Sequence, residues 1–360
     1  MKLLFIRSNV LSKMLVVLFL ITAFYGCQKA DHWPGHPDHH GKPKPSPESA
    51  DFVYEWYKSL AEMQLPEVPA SALVGYRNFA YIGVGLFESV QPGIKGGSSF
   101  SSKLYQMPAM PKPDKSKDYL WSASANAAMA RMAKLFLTNL TDANKASIDM
   151  IEATNYNSFK SMASNSVLER SQAFGRAVAD AIYNWSTTDN FTVASNDWQQ
   201  SDLPGAWVPT GNPPTVYGAH VGESRPMLRY TLNALAPPLP FPYSTDPNSA
   251  FYKAAKEVYE IGKSENSAQQ ASARWWADAG GQGLGYPAPY HLVSIVTTVL
   301  EDHNAGLWKA AEVYAKTGIG MKDGPIITFR SKFFYNLLRP VTYIRQNIDA
   351  NWNSLIPSPP

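Results

Sequence analysis

From Ala50 onward, apolar residues recur every three or four positions, and the recurrence stops at clusters of Pro and Gly. Asp51 to Met63 alternates apolar and charged residues at this spacing and is halted by Pro66 and Pro69. Ala70 to Val90 is apolar nearly throughout, which predicts a helix buried on most sides. Lys117 to Leu140 predicts a long Ala-rich helix whose small residues from Ala125 to Ala130 allow close packing. Thr141-Asp142-Ala143-Asn144 is an N-cap pattern for a helix from about Ala143. Val167 to Trp185 is amphipathic, with apolar residues at 167, 168, 174, 178, 182 and 185. Helices resume at Pro247–Ile261, about Ser267–Ala279, Tyr290–Lys316 and Gly324–Arg339. Pro340 cannot donate a helical hydrogen bond, so the last of these should end or kink at Arg339. No strand pattern and no internal repeat is evident. The expectation is an all-α helical bundle.

The interruptions divide the chain. Residues 91–113 read as a loop, and residues 186–245 carry many Pro and Gly with no sustained period. So long a connection inside a compact domain is usually functional or tied down. The expected organisation is an N-terminal helical bundle over 51–190, a Pro-rich connection over 191–245 and a helical core from 246 to 360. Ahead of it, Lys2, Arg7 and Lys13 precede an apolar run, Met14 to Tyr25, that is short for a membrane span, and Gly26-Cys27 follows. Residues 1–26 read as a lipoprotein signal peptide with Cys27 as the acylated residue; a plain secretory signal or an uncleaved anchor are the alternatives. Each places the rest of the chain outside the cytoplasm, lipid-anchored at the membrane, periplasmic or cell-surface, on the first reading. Residues 27–50 are rich in His, Pro and Lys and read as a solvated tether; His32, His36, His39 and His40 have no fold to fix them as metal ligands.

Composition narrows the classes. The 360 residues are 45% apolar, enough for a sizeable core. The formal charge is only +3 and no long Lys/Arg run exists, which argues against nucleic acid as a partner. Cys27 is the only cysteine, so neither an internal disulfide nor a cysteine metal cluster can form.

The densest candidate chemistry lies near the C-terminal end. Lys332 and Arg339 are seven residues apart in the aromatic stretch Lys-Phe-Phe-Tyr-Asn-Leu-Leu-Arg-Pro. On one helix, Thr328, Lys332, Tyr335, Asn336 and Arg339 form a polar stripe, while Phe329, Phe333, Phe334, Leu337 and Leu338 cover much of the rest. Buried cations need opposite charge, yet no Asp or Glu lies between Pro325 and Pro340. Either the stripe grips an oxyanion such as phosphate or vanadate, or the cations meet distant carboxylates or snorkel to water.

Lys332-x6-Arg339-Pro340 resembles the first of three signature segments of the vanadium-dependent haloperoxidase and type-2 phosphatidic acid phosphatase superfamily. The run from Asp323 to Arg345 is similar to its soluble, haloperoxidase-like lipoprotein branch, as are Pro204-Gly-Ala-Trp-Val-Pro-Thr210 with Pro213-Pro214, and Trp275-Trp276 followed by His291. The resemblance spans roughly residues 50–360. It implies the all-α bundle of that superfamily, Lys332 and Arg339 as ligands of vanadate or phosphate oxygens, and Asp323, Tyr335 and Asn336 as candidate supporting residues. It further implies vanadate as cofactor, with hydrogen peroxide and a halide as substrates, or a phosphate ester in an acid phosphatase; a homodimer is compatible with it. The other two segments, Pro-Ser-Gly-His and a later Arg with a His, are not found in these 360 residues. No catalytic residue is therefore assigned, and the chain is expected to represent the N-terminal part of such an enzyme, without appreciable turnover.

The remaining candidates are weaker. His220, His291 and His303 read as structural or surface residues. Glu301, Asp302 and Glu312 read as a solvated helix face rather than a metal site. Asp323 either pairs with a cation of the site or caps the last helix. The aromatic content leaves a non-catalytic, carbohydrate-binding surface lipoprotein as a rival of a different class; it requires an exposed pair at Trp275-Trp276 and no affinity for oxyanions.

Overall fold

The computed structural model describes residues 49–64, 71–137, 139–210, 215–238, 241–263, 266–278 and 287–356. The signal peptide, Cys27, the His-rich tether and Pro213-Pro214 lie outside the described residues. Within them there are α-helices and short 3₁₀ turns, and the one β-type pairing is an isolated bridge. We number the helices α1 (Asp51–Gln64), α2 (Ser71–Val90), α3 (Trp121–Phe136), α4 (Asp142–Phe159), α5 (Asn165–Ser186), α6 (Ala250–Lys263), α7 (Ser267–Trp275), α8 (Ala288–Asp302), α9 (Leu307–Tyr335) and α10 (Pro340–Asn347). None of the described helices is long and apolar enough to cross a membrane.

The apolar reading of Ala70–Val90 locates the centre of the fold. Helix α2 contacts α3, α5, α8 and α9, and its contact with α9 is the most extensive in the protein. Tyr81, Ile82, Val84, Leu86 and Val90 are sealed from solvent within one continuous core that runs from Ala50 to Met321. Glycines let the backbones touch. A Cβ at Gly318 would lie 2.8 Å from Ala80 Cα, and one at Gly83 would lie 2.7 Å from the Tyr314 carbonyl oxygen. Both obstacles are backbone, so α2 and α9 would have to separate to admit a methyl group. Gly318→Ala should therefore lower stability by about 1–3 kcal/mol, the usual range for overpacking, in urea denaturation. An unchanged midpoint would show that the crossing yields.

The cap pattern at Thr141 holds: its hydroxyl accepts from Asn144 N at 3.1 Å. Helix α3 is shorter than expected at both ends, because Leu120 and Leu137 are extended where the chain leaves the packed Ala face.

Two helix expectations near the C-terminal end are corrected. The break lies at residues 303–306, not in the Gly-rich stretch 317–324. Asn304 turns left-handed (φ 48°) and Ala305 N donates to Leu300 O at 2.9 Å, which closes α8 before Gly306. Helix α9 then runs through Gly318, Gly320, Gly324 and Pro325 without a stop. Proline inside a helix is costly in isolation, but here the surrounding turns lie against α2 and the loop segments. The second correction concerns its end. Helix α9 stops at Tyr335, and Asn336 takes the left-handed conformation (φ 46°, ψ 45°), one of the few non-glycine residues suited to it. Arg339 is therefore not on the same helix as Lys332.

The long connection is tied down at both ends of residues 189–225. Asp189, 2% exposed, accepts from Arg77 Nε (2.9 Å) and Nη2 (3.2 Å) and from Tyr81 OH (2.9 Å) on α2. Lys322 Nζ on α9 lies 3.5 Å from the same carboxylate. Arg225 donates to Trp185 O at 2.6 Å and to Thr188 O at 3.0 Å, and its backbone N–H donates to Asp189 O at 2.8 Å.

Candidate functional site

Three segments converge on Lys332. The first is the last turn of α9, which carries Phe329, Lys332 and Phe333. The second is residues 336–339, turned back by the left-handed Asn336. The third is the Pro204-Gly-Ala-Trp-Val-Pro stretch. Trp207 N donates to Asn336 O and Leu338 N donates to Gly205 O, each at 2.8 Å, which makes the antiparallel bridge between Ala206 and Leu337. Gly205 has φ +79°, where a side chain would be strained, and a Cβ there would collide with the Tyr243 ring at 2.4 Å. A glycine is thus required for the loop to meet the 336–338 segment.

This bridge places the Trp207 ring over the Lys332 ammonium, 4.4 Å from the ring centroid. Phe333 and Phe329 lie 4.8 Å and 5.4 Å from the same nitrogen. Trp198 packs on Trp207 (5.1 Å) and Phe333 (6.4 Å), backing the ring cluster. Among the described residues no carboxylate lies within ion-pair reach of Lys332. Desolvation and the nearby positive charge of Arg339 lower the Lys332 pKa from its ordinary value to about 8. Burial also lowers the Arg339 guanidinium. Arg339 reaches this place from the N-cap of α10, with extended backbone (φ −70°, ψ 149°), the conformation Pro340 favours for the residue before it.

The site thus holds two partly desolvated cations, near enough to repel one another and lined by aromatic rings. An oxyanion fits that environment: it would offset the repulsion and accept charge-assisted hydrogen bonds from an ammonium and a planar fork. A shallow surface cleft opens beside the bridge, lined by Gln200, Asp202, Gly205, Val208, Leu338 and Gln346, but it reaches neither cation.

The supporting residues sort differently. Asp323 lies inside α9, so it caps no helix. Its buried carboxylate accepts from Met227 N (2.7 Å), Leu228 N (3.0 Å) and Thr231 Oγ1 (2.9 Å), anchoring the turn at 227–231 rather than serving Lys332 or Arg339. Tyr335 OH donates to Ala236 O at 2.7 Å and likewise holds a loop. Asn336 shapes the site through its backbone; its Oδ1 is buried with no hydrogen-bond partner among the described residues. Thr328 Oγ1 donates to Gly324 O at 3.0 Å, and because α9 ends at Tyr335 the single polar stripe from Thr328 to Arg339 does not form. Trp207 was not legible as a site residue, because nothing in a Pro-rich stretch fixes which helix it will meet.

The other candidates stay apart. Glu301 pairs with Lys58 at 2.6 Å, and Glu312 with Lys316 at 2.5 Å and Lys309 at 3.2 Å, on exposed faces. No metal-binding group of three His, Cys, Asp or Glu occurs among the described residues. His303 Nδ1 contacts Val299 O at 2.8 Å. His291 Nδ1 lies 2.8 Å from Asp278 Oδ1. Trp275 and Trp276 are 74% and 75% exposed, as the binding-protein alternative requires. His220 sits between Asp197 (2.8 Å) and Glu223 (3.1 Å), whose hydrogen bonds raise its pKa above the ordinary 6.5. NMR titration should find that midpoint above 6.5 in the native protein and lower in Asp197→Asn.

No protein-family model matches the chain, and no curated protein matches it in sequence. Its fold nevertheless has solved counterparts, and they define its class: the chain has the all-helical fold of the vanadium-dependent haloperoxidases. A bacterial vanadium-dependent iodoperoxidase superposes with a TM-score of 0.74 at 25% identity, over 89% of this chain and 77% of the other. A bacterial vanadium-dependent chloroperoxidase in its holo form gives 0.59 at 12% identity, over 84% and 71%. An apo-type structure of such an enzyme gives 0.55 at 12% identity, over 81% and 69%.

Proposed function

We propose that Lys332 and Arg339 hold the oxygens of a tetrahedral oxyanion, and that the protein belongs to halide oxidation by hydrogen peroxide at bound vanadate. The observation that carries this reading is Lys332 held against the Trp207 ring with the charge of Arg339 nearby and, among the described residues, no carboxylate in ion-pair reach of Lys332, in a chain with the haloperoxidase fold. Vanadate, when bound, supplies the centre that activates peroxide toward a halide. The chain's own part is to bind and orient the anion. Lys332 offers a compact charge, Arg339 a fork able to bridge two oxygens, and the ring cluster partly desolvates Lys332. Iodide is the first halide to test, because the neighbour at 25% identity is an iodoperoxidase.

The acid–base His and the vanadium-coordinating His that the resemblance implies have no counterpart among these 360 residues. The chain itself should therefore bind orthovanadate without oxidising halide at an appreciable rate. Phosphate shares the tetrahedral geometry, so the phosphatase alternative rests on the same two cations. Isothermal titration of the purified chain with orthovanadate, and separately with inorganic phosphate, is the test. Saturable binding of either supports the oxyanion reading; binding of neither sinks it and favours the non-catalytic alternative, for which the exposed Trp275 and Trp276 offer a surface. The N-terminal pattern adds a further proposal: acylation at Cys27 would anchor the protein at the membrane outside the cytoplasm. Cys27→Ala should then release it from the membrane fraction.

A further inference from the structure

Trp207 is 2% exposed, yet its indole N–H has no hydrogen-bond partner among the described residues. A buried tryptophan usually satisfies that group. Packing alone would be served as well by Phe, which leaves no donor unsatisfied. What the indole offers beyond Phe is the stronger electron-rich face for a cation. That face lies 4.4 Å from the Lys332 nitrogen, the shortest of its ring contacts. The ring's backbone is fixed by the hydrogen bond from Trp207 N to Asn336 O, and its edge by Trp198 and Phe333. Loop and helix end are therefore coupled through one residue, which holds the flexible Lys332 stem without supplying a counter-charge.

We propose that Trp207 is a positioning residue for Lys332: its ring face holds the ammonium at the anion site, so that the loop around 203–208 sets affinity for tetrahedral oxyanions. This rests on the oxyanion reading of Lys332 and Arg339. Trp207 itself touches no reacting atom; it acts through the lysine. An aromatic face leaves the ammonium's hydrogens free for an incoming anion, which a carboxylate partner would not.

The test is a double-mutant cycle read by orthovanadate titration at pH 7, with Trp207→Phe, Trp207→Leu, Lys332→Met and Trp207→Leu/Lys332→Met. Trp207→Leu should weaken orthovanadate binding about 5- to 20-fold when Lys332 is present and less than about 2-fold in the Lys332→Met background, with Trp207→Phe intermediate. Equal losses in both backgrounds, or no loss in either, would overturn the proposal, since a merely structural ring moves both alike. A second measurement separates this from failure of the oxyanion reading. After reductive ¹³C-methylation, the Lys332 methyl resonance of the anion-free protein should carry a ring-current shift, reduced in Trp207→Phe and reduced further in Trp207→Leu to what Phe329 and Phe333 contribute. If the wild-type chain binds no anion, the oxyanion reading fails, while that shift still decides whether the ring holds the lysine. An unshifted resonance in wild type, or one unchanged in Trp207→Phe and Trp207→Leu, would overturn the positioning role.

Discussion

Lys332→Met is expected to weaken orthovanadate binding about 10- to 100-fold, the loss of one charge-assisted hydrogen bond at roughly 1.5–3 kcal/mol. The fold should be as stable as before, or more so by about 0–1 kcal/mol. The sign follows from linkage. Folding lowers the Lys332 pKa from 10.5 to about 8, so between those values the unfolded chain binds more protons and native stability rises with pH. At neutral pH the folded protein therefore carries a charge it would be better without. Solvent at this half-buried position and the three aromatic rings reduce that cost, and the Met stem keeps the ring contacts. Arg339→Ala should weaken the anion to a similar degree, and Arg339→Lys should restore little of it, because a point charge does not replace a planar fork. Calorimetric titration and urea unfolding on the same variants check both parts. Reduced stability with unchanged vanadate affinity would make Lys332 a packing residue.

The pairing of lost affinity with unharmed stability separates a binding group from a structural one. Buried cations kept for the fold are held by oxygens: Arg77 and Lys322 share the Asp189 carboxylate, and Arg225 donates to the Trp185 and Thr188 carbonyls. Lys332 has rings instead. The absence of acidic residues between Pro325 and Pro340 was the sequence signal, and among the described residues Lys332 indeed has no carboxylate within ion-pair reach. The assumption of one continuous helix was wrong. A period of seven returns to one helix face only if the helix continues, and Asn336 ends it. The two cations still meet, by way of a left-handed residue, a two-bond bridge and the extended residue before Pro340. Nothing local encodes the bridge, since its partners lie more than a hundred residues apart. The same reason hid the role of Asp323. Its position matched the resemblance, but two of its three hydrogen-bond partners are backbone groups of a loop, and backbone donors leave no mark in a sequence. The helices were legible because burial of one face imposes a period. The glycines of α9 misled because in isolation they weaken a helix, whereas here Gly318 is the contact that admits α2.

Asp189→Asn should be the most destabilising single change outside the hydrophobic core, by about 3–5 kcal/mol, because it leaves buried cations uncompensated. Asp189 faces Arg77 and Tyr81 from α2, Lys322 from α9 and the Phe191 N–H from its own loop. Burial pushes its carboxyl pKa up, but the Arg77 hydrogen bond and charge, Lys322 and Tyr81 together outweigh burial and hold it below the usual carboxylate value. The stability it contributes is therefore present above about pH 4 and lost as the pH falls through the lowered value. Wild-type stability should drop there, and the drop should be shallower in Asp189→Asn. On the alkaline side the order reverses. Lys322 has a pKa lowered to about 8, by burial first and by Arg77 and Arg225, against the pull of Asp189 and Asp323. Without Asp189 its ammonium becomes costlier, so the variant should regain stability at a lower pH than wild type does. Urea unfolding from pH 3 to 10 checks both limbs, and parallel profiles for the two proteins would refute the ion-pair account. The same change should reach the anion site. Asp189 and Arg225 clamp the two ends of the stretch that carries Trp198 and Trp207, through their own backbone hydrogen bond and through α2 and α9. A looser clamp places the ring over Lys332 less often, so orthovanadate affinity should fall in Asp189→Asn even under conditions where the variant remains folded.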